Sequence, residues 1–161
     1  MRRIRLTALF LLGTFILPLA VFPDIKKDFD SVVDFSVTMK NIQQVLKAPG
    51  GLDNISSKLL VLSGSVASIQ FLSAEGEDFV AAVELVSGEW IGVEDVRLFK
   101  AYLVVTGPQF AERLPVRRSR EALENEIVLN SQILAVGRIV DFDTSESEYI
   151  PIIECFYIRE L

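Results

Sequence analysis

Leu59-Leu60-Val61-Leu62-Ser63-Gly64-Ser65-Val66-Ala67-Ser68-Ile69-Gln70-Phe71 is the run on which the reading of the fold turns. Its valine, isoleucine, leucine and aromatic content favours a strand, and Gly64 sits inside it. Four further runs share that character: residues 79–86, 98–106, 132–141 and 150–158. They are separated by Ser73-Ala74-Glu75-Gly76, Ser87-Gly88, Gly107-Pro108 and an acidic loop over 143–148, all of turn-forming composition. Five strands are expected. An interior glycine has a physical use in such a chain, because a strand that must bend sharply around a small barrel needs a position without a Cβ.

Between the third and fourth runs lies a segment over 109–127 of helical character, interrupted by Pro115. Its second piece begins at Ser119 and carries Glu121 and Glu124 in its first turns, as an N-terminal helix dipole favours. The order strand, strand, strand, helix, strand, strand, with glycines in the paired phrases Leu62-Ser63-Gly64-Ser65-Val66 and Ala135-Val136-Gly137-Arg138-Ile139, resembles the OB-fold over residues 58–161. The resemblance implies a mainly β fold, a five-stranded Greek-key barrel with one helix between strands three and four. It also implies a ligand surface on strands two and three, flanked by the loops after strands one and four. An open antiparallel sheet or a β-sandwich covered by one helix is the alternative architecture.

Those two loops are acidic. The first carries Glu75, Glu77 and Asp78, and the second Asp141, Asp143, Glu146 and Glu148. Two rims of like charge repel a polyanion where contact must occur, so nucleic acid is disfavoured as a partner. As binding residues they suit a basic peptide, a cationic protein face or a divalent ion; as plain surface they are solvated turns. The second loop also fails as a calcium loop, since the EF-hand glycine position is Glu146 and the bidentate glutamate position is Ile152. Trp90, the single tryptophan, falls in a turn-like connection between strands two and three and either anchors a partner or caps the barrel mouth.

The chain has 161 residues, no histidine and one cysteine, which removes His-based nucleophilic catalysis and His-ligated metal sites. Ser57 and Lys58 are adjacent and point to opposite faces of a strand, so they cannot share a proton. No catalytic residue, metal or cofactor is expected. Cys155, inside Ile152-Ile153-Glu154-Cys155-Phe156-Tyr157-Ile158, reads as a buried and inert thiol. Arg113, Arg117, Arg118 and Arg120 form the sole basic cluster beyond the amino terminus and lie among Glu112, Glu121, Glu124 and Glu126, which favours internal ion pairing.

Arg2, Arg3 and Arg5 precede an apolar run to Phe22, the pattern of a secretory signal or a short membrane anchor over residues 1–23. Pro18 fits a cleavage site poorly, so removal and retention both stay open. Without that leader 13 basic residues face 22 acidic ones, a net charge of −9. Residues 24–57 read as a spacer with a short strand near 32–39 and a short helix over 41–47 that stops at Pro49-Gly50-Gly51. The sequence therefore predicts an exported, non-catalytic module of the cell envelope or periplasm that recognises a protein or peptide. A structural component that oligomerises through its β-domain is the alternative.

Overall fold

A computed structural model describes residues 25–74, 76–116, 126–145 and 148–161. The apolar leader, and the helix expected from Ser119, lie outside these residues. Among the described residues are six strands: β1 (Val33–Asp34), β2 (Leu59–Ser73), β3 (Val80–Ile91), β4 (Asp95–Thr106), β5 (Gln132–Asp143) and β6 (Ile150–Glu160). Four short helices accompany them among the same residues: α1 (Ile25–Val32), α2 (Ile42–Lys47), α3 (Gly51–Ile55) and α4 (Pro108–Ala111).

β2, β3 and β4 form an antiparallel meander, β4 runs parallel to β6, and β6 is antiparallel to β5. β5 then returns to β2, with Leu60 opposite Gly137 and Ser65 opposite Gln132. That last pairing closes β2 through β6 into a five-stranded OB-fold-like barrel and removes the open-sheet alternative. β2 can serve two neighbours because it is long: its first half pairs with β5 and its second half with β3.

Period-two alternation fills the barrel. Leu60, Leu62 and Val66 on β2, Ala81, Val83 and Leu85 on β3, and Phe99, Ala101, Leu103 and Val105 on β4 are buried, as are Ile133, Ala135 and Ile139 on β5 and Ile153, Cys155 and Ile158 on β6. Each large side chain fully buried here contributes about 1.5–3 kcal/mol of apolar transfer free energy. Gly64 and Gly137 sit where backbones nearly touch. A Cβ on Gly64 would lie 2.7 Å from the Val86 carbonyl oxygen, and one on Gly137 2.4 Å from the Glu154 carbonyl oxygen. Cys155 is buried as expected; burial pushes its thiol up to about 11.

Residues ahead of the barrel add to the same core. Val37, Met39, Ile42, Leu46 and Ile55 pack in one apolar cluster with the barrel interior. The strand expected near 32–39 shrinks to Val33–Asp34, parallel to the start of β2. Polar side chains stop it: Asp34 Oδ1 accepts the Ser36 N–H and hydroxyl, and Asn41 Oδ1 accepts the Thr38 N–H at 2.7 Å. Such local side-chain bonds offer the backbone an alternative to a ladder. The helix over 41–47 forms as α2, while Gly51, expected to end it, instead opens α3.

Candidate functional site

β3 and β4 pair without a register break from Val80 opposite Thr106 to Ile91 opposite Asp95, so the ribbon continues well past the barrel wall. Sequence reading placed residues 89–96 in a turn-like connection, with Ser87-Gly88 ending the strand before it. Trp90, Ile91 and Val96 are strand formers, however, and the turn shrinks to the three residues between Ile91 and Asp95. Trp90 therefore does not cap the barrel: it stands opposite Val96 and is 71% exposed.

The inward residues of β4 are Phe99, Ala101, Leu103 and Val105, so Val96, Leu98, Lys100, Tyr102 and Val104 share the outward face. Trp90 belongs to that face through its pairing with Val96, as do Val86 opposite Lys100 and Glu84 opposite Tyr102. Leu98 is 54% exposed opposite Gly88, whose missing side chain leaves room beside it. The Glu84 carboxylate is turned toward β2, accepting the Ser68 hydroxyl at 2.9 Å. The result is an outward strip with an exposed indole at one end, a lysine in the middle and a tyrosine beyond it.

The opposite face of the ribbon is braced. Lys40 Nζ lies 2.8 Å from Glu89 Oε1, and Arg97 stands across from Glu89 on β4. The Lys40 hydrogen bond and charge, with Arg97 adding a smaller part, hold the Glu89 carboxyl below its usual value. A cleft of about 340 Å³ opens beneath, between α2 and the ribbon, and Glu148 forms part of its wall.

The acidic residues singled out from the sequence fall into two groups that do not meet. Glu77 and Asp78 occupy an exposed single turn of 3-10 helix, Gly76–Asp78, before β3. The neighbouring Phe79 carbonyl accepts the Gly107 N–H, which fixes this turn at the end of the barrel where β4 leaves. Asp141, Asp143 and Glu148 lie at the other end, because β6 begins opposite Asp143 and runs parallel to β4 with Tyr102 opposite Ile152. Asp143 Oδ1 and Oδ2 accept the Ser145 N–H and hydroxyl, which hold its carboxyl low, and Glu148 faces the Gln43 amide at 3.4 Å. Glu75 and Glu146 lie outside the described residues.

This separation corrects the electrostatic argument made from the sequence. Glu77 and Asp78 lie beside the Thr106 end of β4, whereas Asp141 is level with Tyr102 through Ile152, and β6 begins two residues before that. The two acidic loops therefore approach β4 at different levels rather than as a facing pair of anionic rims, and the outward face of β4 carries Lys100. Lys100, Tyr102 and Leu98 were missed as site residues because alternation marks them only as the outward half of a strand. Their partnership with Trp90 appears once the register with β3 is known.

No protein-family model and no curated protein matches the chain. Solved structures similar to it include a small single-stranded DNA-binding protein from Streptomyces coelicolor, at 11% identity and a TM-score of 0.41 over 64% of this chain and 91% of that one. A Plasmodium falciparum single-stranded DNA-binding protein in complex with single-stranded DNA is similar at 14% identity and a TM-score of 0.43, over 64% and 93%. A mitochondrial single-stranded DNA-binding protein from S. cerevisiae follows at 10% and 0.40, over 64% and 92%. These neighbours run against three expectations stated above, which are withdrawn: the exported envelope module that recognises a protein or peptide, nucleic acid as a disfavoured partner, and an extracytoplasmic location. Among the described residues no helix is long and apolar enough to cross a membrane.

Proposed function

We propose that the outward face of β3 and β4 binds single-stranded nucleic acid, with a base stacked on Trp90. The observation that carries the reading is the indole itself: 71% exposed on a rigid, fully paired ribbon, on one face with Lys100 and Tyr102. In an OB-fold this is the face that takes oligonucleotides. An exposed ring on such a surface offers a sequence-tolerant platform, because every base has a π-face, and one stacked base contributes about 1–3 kcal/mol. Lys100 supplies a positive charge for a backbone phosphate beside it, and Tyr102 a second ring further along. No reaction is part of this reading.

The single tryptophan makes the test direct. Titration of the full chain with a twelve-nucleotide oligothymidylate (dT12) at low salt is expected to quench the Trp90 emission. Fluorescence anisotropy of labelled dT12 with Trp90→Leu is expected to show binding weaker by about tenfold or more. An emission spectrum unmoved by dT12 would sink the reading.

A further inference from the structure

We infer that the same face ends in a pocket for one unstacked nucleobase, built from Phe156, Tyr157 and the chain around α4; this rests on the single-strand reading above. The pocket originates in a break in the β5–β6 ladder. Val136 pairs with Tyr157 but Gly137 pairs with Cys155, so Phe156 is an extra residue on β6. Between the inward, buried Cys155 and Ile158 the strand therefore presents two consecutive side chains outward instead of one. Both are aromatic, with Phe156 49% and Tyr157 44% exposed. Bulges of this kind re-aim side chains and recur beside functional sites.

The re-aimed rings form one wall of a recess of about 320 Å³, and Gln109, Phe110, Glu112 and Arg113 form the other. That volume is at the small end of the range for small-molecule pockets. Arg113 stiffens the wall: its guanidinium donates to the Ile158 carbonyl and lies 5.8 Å from the Tyr157 ring centroid. Arg138 stands 5.8 Å from the Phe156 ring centroid while paired with Glu154 at 2.7 Å. Aromatic walls with amide, carboxylate and guanidinium groups at the rim suit a flat heterocycle whose edge carries donors and acceptors.

Position links the recess to Trp90. Val105 is opposite Cys155, so the recess begins where β4 ends, while Trp90 is opposite Val96 at the start of β4. The two sites are about 30 Å apart along the strand, at roughly 3.3 Å per residue. Lys100 and Tyr102 lie between them on the same outward face. A span of this length falls within the roughly 4–16 nucleotides that one OB-fold occupies.

The experiment reads Trp90 emission in the full chain with dT12 and with a four-nucleotide strand (dT4) too short to reach the recess from the indole. Phe156→Leu and Tyr157→Leu keep an apolar side chain at exposed positions. Each is expected to weaken dT12 about tenfold and to leave dT4 unchanged. Variants that bind dT12 as the parent does would overturn the pocket while leaving the Trp90 platform intact. Equal losses on dT4 and dT12 would mark a general distortion and overturn it as well. A parent protein whose emission dT12 leaves unmoved would instead remove the platform and, with it, the pocket.

Discussion

Gly137 is where one atom decides whether the barrel can form. A Cβ there would stand 2.4 Å from the Glu154 carbonyl oxygen, 2.6 Å from Ile153 Cγ2 and 3.1 Å from the Cys155 Cα. The first and last belong to backbone, which cannot rotate away as a side-chain tip can. Gly137→Ala is expected to lower stability by about 1–3 kcal/mol, the usual cost of overpacking, measured as a shifted urea midpoint. Gly137 also adjoins the ladder break that exposes Phe156 and Tyr157, so the variant should disturb the recess before it disturbs Trp90. The need for glycine in Ala135-Val136-Gly137-Arg138-Ile139 was legible from the sequence as a bend. The identity of the crowding atoms was not, because Glu154 and Cys155 arrive from another strand.

At the scale of elements, the β3–β4 ribbon carries its indole beyond the barrel wall and is held from behind by Lys40. The Lys40–Glu89 pair is exposed, so its worth lies in positioning rather than in global stability. Lys40→Ala is expected to leave the unfolding midpoint near the parent value and to speed hydrogen exchange of the ribbon amides over 88–98. The folded carboxyl of Glu89 is lowered from its ordinary 4.5. The brace is therefore fully present above pH 4.5 and is lost as pH falls through the lower folded value, so the exchange difference between parent and variant should vanish in acid. The strands themselves were readable from β-branched and aromatic runs, and α2 from its pattern. The extension of the ribbon was not, since Gly88 and Gly92 mimic the punctuation of a loop; only the unbroken pairing of Glu89 with Arg97 and Trp90 with Val96 shows that they are not its ends.

For the whole molecule, a net charge of −6 supplies no long-range attraction for a phosphate backbone. On the Trp90 face of β3 and β4 the charge is that of Lys100, while Arg97 stands on the opposite face, and the acidic turns are kept to the barrel ends. Affinity must then come chiefly from stacking. The logarithm of the dT12 binding constant is expected to fall with the logarithm of salt at a slope of about −0.7 to −1.4, as for one or two neutralised phosphates. A much steeper slope in a fluorescence titration series would show that a different, more basic surface holds the strand. Composition gave the acidity correctly, yet it could not reveal that the two acidic loops part company. Their separation follows from β4 and β6 running parallel, a pairing between strands far apart in the sequence.

Closure of the barrel has a temporal side. The seam joins residues 60–65 to residues 132–137, so no local hairpin can make it and most of the chain must be in place before it forms. Loop-closure entropy is spent before these contacts return anything, which makes the seam a late and slow event. The meander of β2, β3 and β4 needs only near neighbours in sequence, so the ribbon bearing Trp90 can assemble while the other wall is still unfolded. During synthesis the ribbon that bears Trp90 emerges before the strand that carries Phe156 and Tyr157.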